Sequence, residues 1–201
     1  MTQTLTYHAR RRAPDPGAPL IFAFHGTGGD EHQFFDLVHQ IHPGAGIVSP
    51  RGDVSEGGAA RFFRRTGEGV YDMDDLALRT ARMAEFIDAI KAGHPDTPVH
   101  GFGYSNGANI LASVVMARPD LFDRVGLLHP LIPWQPEPVD LTGRRVLITA
   151  GRRDPICPWP LSARLLDWFR DQGAEMRSEI HDGGHEIRQG ELTALAGLLT
   201  E

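Results

Sequence analysis

A mostly parallel β-sheet with helices on both faces, an α/β fold, is what this sequence predicts, on two observations. Short, continuously apolar runs of strand length alternate with segments whose apolar residues recur at helical spacing. That alternation implies crossover connections between parallel strands. The 23 glycines and 15 prolines lie between these segments rather than in tracts, so they punctuate elements. With 201 residues, 41% of them hydrophobic and 23% charged, the chain reads as one globular domain over residues 1–201.

The elements follow in order. Residues 20–24 (Leu-Ile-Phe-Ala-Phe) are apolar throughout, as a strand covered on both faces must be. A helix is expected over 31–40 and a second strand over 46–49. A long connection, 51–72, then leads to a helix over 74–92, where Leu76, Thr80, Met83, Ile87 and Ile90 share one face. Asp72, Asp74 and Asp75 stand at its start, where carboxylates cap free N–H groups, and Gly93 and Pro95 end it. Strands at 99–102, 125–128, 146–150 and 176–181 alternate with helices at 105–118, 158–170 and 189–199. In such sheets ligands bind beyond the carboxyl ends of the strands, so chemistry belongs in the loops that follow them.

Charge and cysteine content narrow the partners. Twenty basic against 26 acidic residues leave a net charge of −6, which attracts neither phosphate backbones nor anionic membranes. The single cysteine, Cys157, excludes an internal disulfide and a multi-thiolate zinc site, suits a reducing compartment and reads as inert packing. Residues 1–7 contain no apolar targeting core, and no run is long enough to span a membrane. The expectation is a cytoplasmic protein with a small-molecule partner, without membrane insertion, and compatible with a homodimer.

Four loops carry the chemistry. After the strand 99–102 comes Gly103-Tyr104-Ser105-Asn106-Gly107, running directly into a helix. A sharp strand-to-helix turn of this kind lifts Ser105 above the sheet, and the glycines leave room where the two backbones nearly touch. Ser105 needs a base, and His185 follows the last strand in Asp182-Gly183-Gly184-His185-Glu186. His181 is the rival base, but it should end the strand. Asp154, after the strand 146–150, is placed to orient the imidazole. The glycine-rich Gly26-Thr27-Gly28-Gly29 follows the first strand, and the N–H groups of Thr27 and Asn106 are the expected oxyanion hole. Neither common phosphate-binding glycine pattern is present, and no clustered histidine motif supports a metal.

In these segments the chain resembles the α/β-hydrolase family, in its phospholipase/carboxylesterase branch. The resemblance rests on residues 24–31 and 103–109, on Gly151-Arg152-Arg153-Asp154-Pro155 and on Gly183-Gly184-His185-Glu186. It implies a serine carboxylesterase that hydrolyses small to medium esters through an acyl-enzyme on Ser105, with His185 as base and acid, Asp154 orienting it, and no metal or organic cofactor. It also implies a minimal α/β-hydrolase fold, its first strands reduced to a stretch near residues 5–10 and lacking a substantial lid. Phe62 and Phe63, in Arg61-Phe62-Phe63-Arg64-Arg65, and Leu131, Ile132 and Trp134, in the proline-rich loop after residue 128, are the expected substrate-pocket lining. A thioesterase with the same triad, or a non-catalytic ligand binder on this fold, are the alternative readings.

Overall fold

A computed structural model describes residues 7–201. Its frame is a seven-stranded sheet in the order β1-β3-β2-β8-β9-β10-β11. The chain runs β1 (Ala9–Arg12), β2 (Leu20–Phe24), α1 (Phe35–Ile41) and β3 (Gly46–Pro50). Two small hairpins follow, β4 (Val54–Glu56) with β5 (Ala59–Arg61) and β6 (Arg65–Gly67) with β7 (Val70–Tyr71). Then come α2 (Met73–Ala92), β8 (Val99–Tyr104), α3 (Asn106–Ala117), β9 (Arg124–Leu128), β10 (Arg145–Gly151), α4 (Trp159–Asp171), β11 (Glu175–His181) and α5 (Gln189–Thr200). All neighbours in the large sheet are parallel except β1, which pairs antiparallel with β3. The stretch expected near residues 5–10 is this strand, shifted to Ala9–Arg12; residues 5 and 6 lie outside the described residues.

Strand alternation divides the core into two layers. Leu20, Phe22 and Phe24 of β2 face a layer shared with α2, α3 and α4. Ile21 and Ala23 face the other, shared with α1 and α5. The two margins of the sheet differ in composition from its centre. β1 reads Ala-Arg-Arg-Arg, and β11 has exposed Glu175, Arg177 and Ser178 among partly buried neighbours.

One expectation is corrected. The first helix starts at Phe35, not at residue 31, because Asp30 Oδ1 accepts the His32 N–H in a tight turn and Glu31 is drawn aside to Arg51. The long connection 51–72 folds into the two hairpins over the carboxyl ends of the strands. Asp72 caps α2 as expected, accepting the Asp75 N–H at 3.0 Å. Among the described residues no helix is long and apolar enough to cross a membrane.

Candidate active site

The turn between β8 and α3 forces Ser105 to φ 52° and ψ −116°. A serine pays for such a conformation with strain, of order 1–3 kcal/mol, and keeps it only where its surroundings hold it. The surroundings here are specific. The Ser105 N–H donates to Leu128 O of β9 at 2.9 Å, anchoring the turn to the neighbouring strand. A Cβ on Gly103 would lie 2.5 Å from the Gly107 carbonyl carbon, and one on Gly107 would collide with the carbonyl oxygens of Phe24 and His25. Glycine is therefore required on both sides of the serine.

Ser105, His185 and Asp154 meet above the sheet from three separate loops. Ser105 Oγ lies 2.9 Å from His185 Nε2, and His185 Nδ1 lies 2.7 Å from Asp154 Oδ2. Burial works to raise the Asp154 carboxyl. The N–H groups of Cys157 and Ile156 and the rings of His185 and His129 outweigh it, holding the carboxyl below its ordinary range. The His185 loop is fastened by Tyr104, whose phenol donates to the His185 carbonyl at 2.6 Å. His181, the rival base, is turned away from the serine, with Nδ1 accepting the Gly183 N–H and Nε2 3.2 Å from Glu191.

Thr27 and Asn106 flank the serine, and Thr27 lines a cavity of about 290 Å³ together with Tyr104, Ser105, His185 and Ile156. Among the described residues, neither the Thr27 nor the Asn106 N–H donates to another protein atom. The hairpin β4–β5 grips both. Arg61 Nη1 donates to Thr27 Oγ1 at 2.7 Å, the Phe62 N–H donates to Asn106 Oδ1 at 2.8 Å, and the Gly28 N–H donates to Ala60 O at 2.9 Å.

The expected pocket residues separate. Phe62 and Phe63 are buried in the core layer beneath the hairpins, packed on Phe24 and Tyr71, and do not reach the cavity. Their size made burial worth more than exposure at a rim. Leu131 lines a small recess beside Ser105, with Thr27, Arg61 and Asn109. Ile132 is core, and Trp134 lines a separate groove between α2 and α3. The site thus has a more polar wall than two phenylalanines would make.

Four residues at the site escaped the sequence reading. Tyr104 and Asn109 are two; Asn109 Oδ1 accepts the Leu131 N–H at 2.6 Å and its Nδ2 donates to Tyr71, tying loop to hairpin. His129 and Glu191 are the others, buried behind Asp154. The ligand-type atoms of His129, His181 and Glu191 lie within 4.8 Å of one another, as do those of His129, Asp154 and His185. Asp154 Oδ2 is already taken by two imidazoles, and His181 Nδ1 by a backbone N–H.

A hydroxyl, an imidazole and a buried carboxylate in this order can move a proton off the hydroxyl as it attacks an electrophilic carbon. No protein-family model matches the chain. It is 40% identical over 175 residues to MhqD of Bacillus subtilis (strain 168), whose name places it among hydrolases, covering 86% of this chain and 88% of that one. A carboxylesterase from Bacillus cereus superposes with a TM-score of 0.89 at 32% identity, covering 95% of this chain and 92% of that one. A protein of unknown function from Agrobacterium tumefaciens str. C58 superposes at 0.92 with 55% identity, covering 96% of this chain and 95% of that one.

Proposed function

Because the chain belongs to the α/β-hydrolase esterase family and is an ester-hydrolysing enzyme, we propose that it is a serine carboxylesterase acting through Ser105, His185 and Asp154, with residues 1–201 as its hydrolase domain. The observation that carries this reading is the pair of contacts at 2.9 Å and 2.7 Å that joins hydroxyl, imidazole and carboxylate.

In the reaction, Ser105 Oγ attacks the ester carbonyl while His185 Nε2 takes its proton, and Asp154 holds the ring and offsets the imidazolium charge. The carbonyl oxygen, now an anion, is met by the Thr27 and Asn106 N–H groups, the second at the positive end of α3. Collapse expels the alcohol, which receives the proton from His185. Water then repeats the sequence and frees the acid. A cavity of about 290 Å³ with a polar wall suits small to medium esters. A cytoplasmic location suits a chain whose single cysteine is a free thiol.

A fluorophosphonate should label Ser105 and nothing else, and a p-nitrophenyl ester series should lose kcat/KM as the acyl chain lengthens. Absent labelling would return the chain to the class of binders. Faster turnover of acyl-CoAs than of matched esters would make it a thioesterase.

A further inference from the structure

The contacts do not stop at Asp154. Its Oδ2 accepts from a second imidazole, His129 Nδ1, at 2.9 Å. His129 is fully buried, and its other nitrogen, Nε2, stands 2.9 Å from Oε1 of Glu191, which is also buried. Glu191 Oε2 accepts the Arg188 N–H at 2.6 Å and faces His181 Nε2 at 3.2 Å. His181 Nδ1 accepts the Gly183 N–H at 2.9 Å, in the loop that leads to His185. The links close a ring that begins and ends at His185.

Backbone strain marks the same place. Among the described residues, Ser105 and His129 are the two non-glycine positions with positive φ, at 52° and 50°. A histidine held there at the end of β9, with its backbone N–H on Thr149 O, is in a conformation that packing alone does not call for.

The proton count follows from the geometry. If Nδ1 donates to Asp154 and the ring is neutral, Nε2 is a buried, unpartnered lone-pair nitrogen 2.9 Å from the Glu191 carboxylate, close enough for an ion pair though off the line of a hydrogen bond. Two buried carboxylates at 2.9 Å from one ring call for a positive charge between them. Glu191 accepts the Arg188 N–H as an anion would; burial works to raise its carboxyl, but His129 and the Arg188 N–H outweigh that and lower it. Burial works to lower the His129 ring, but Glu191 and Asp154 outweigh that and raise it. The other titratable groups around His129 are His181 and His185, with ring centres 5.5 and 5.1 Å away, Tyr104 at 6.0 Å, and Cys157, whose Sγ lies 3.2 Å from the His129 carbonyl. Burial pushes the phenol up to about 12 and the thiol up as well, so both stay neutral.

We propose that His129 is a positioning residue carried as an imidazolium between Asp154 and Glu191, where it fixes the Asp154 carboxylate and cancels one of the two negative charges that His185 would otherwise face. The proposal rests on the reading of Ser105, His185 and Asp154 given above. Without that positive charge, a second buried anion would favour protonated His185, and the base would be lost at a higher pH.

His129→Asn keeps a donor near the Nδ1 position, tolerates the positive φ and removes the charge. The acid limb of its kcat/KM profile should move up by about one pH unit or more, with Ser105 still labelled by a fluorophosphonate at alkaline pH. An acid limb that coincides with the wild type's, in a labelled enzyme, overturns the proposal. Failure of the wild-type protein to be labelled at all faults the reading of Ser105 instead. Should His129→Asn not fold, isotope-labelled histidine in the wild type gives the answer. One ring should keep both N–H protons at about pH 7.5, remain so in His185→Ala, and lose its charge at lower pH in Glu191→Gln. A spectrum with no doubly protonated ring overturns the assignment.

Discussion

At the scale of single residues, Ser105 as the proposed nucleophile trades stability for reactivity. Its positive φ is relieved by glycine, which adopts that conformation freely but costs about 0.5–1 kcal/mol in chain entropy. Ser105→Gly should therefore melt no lower than the wild type while its kcat falls by roughly four or more orders of magnitude. Thermal unfolding and ester turnover on the same preparation check both. A variant with substantial turnover would name a different nucleophile. Gly107 shows the opposite dependence. A methyl there meets two carbonyl oxygens of the Phe24–His25 segment, so Gly107→Ala should destabilise by on the order of 3 kcal/mol, read as a drop in denaturant midpoint.

Among the elements, the hairpin β4–β5 holds the glycine loop and the start of α3 in one grip, through Arg61 on Thr27 and the Phe62 N–H on Asn106. Removing a whole oxyanion donor costs about 10²–10³ in kcat; loosening one should cost less. Arg61→Met is expected to lower kcat about tenfold with KM nearly constant, because the grip acts on the transition state's oxygen rather than on the bound ester. A change confined to KM would assign Arg61 to substrate binding. The elements also show what was legible beforehand. Buried parallel strands such as Leu20–Phe24 declare themselves by unbroken hydrophobicity, and the Gly-x-Ser-x-Gly turn by its steric needs. The hairpins did not, because strands of two or three residues have no periodicity of their own and form by packing Phe62 and Phe63 beneath them. Along the sequence Glu191 is one carboxylate in the first turn of α5, and His129 stands beside Pro130 where a loop begins. Their partnership is made only by the three-dimensional meeting of β9, β10 and α5.

For the molecule as a whole, acid should weaken the fold through carboxyls held below their ordinary range. Glu31 is the clearest. The Arg51 guanidinium hydrogen-bonds it and, against the opposing effect of burial, brings its carboxyl down to about 2. The unfolded chain takes up that proton first, so the contribution is complete above an unfolded glutamate's pKa, about 4.3, and is lost as pH falls toward 2. The melting temperature of the wild type should drop across that interval, and that of Glu31→Gln should drop less. Equal declines would place the acid sensitivity elsewhere. The margins of the large sheet bear on a different hazard. An open sheet offers unpaired amides at its borders, a template on which neighbouring chains can add strands without limit. Here one border is a run of arginines and the other mixes glutamates with arginine. Two β1 borders brought together would oppose arginine to arginine, so self-pairing is discouraged at that end even when the protein is crowded.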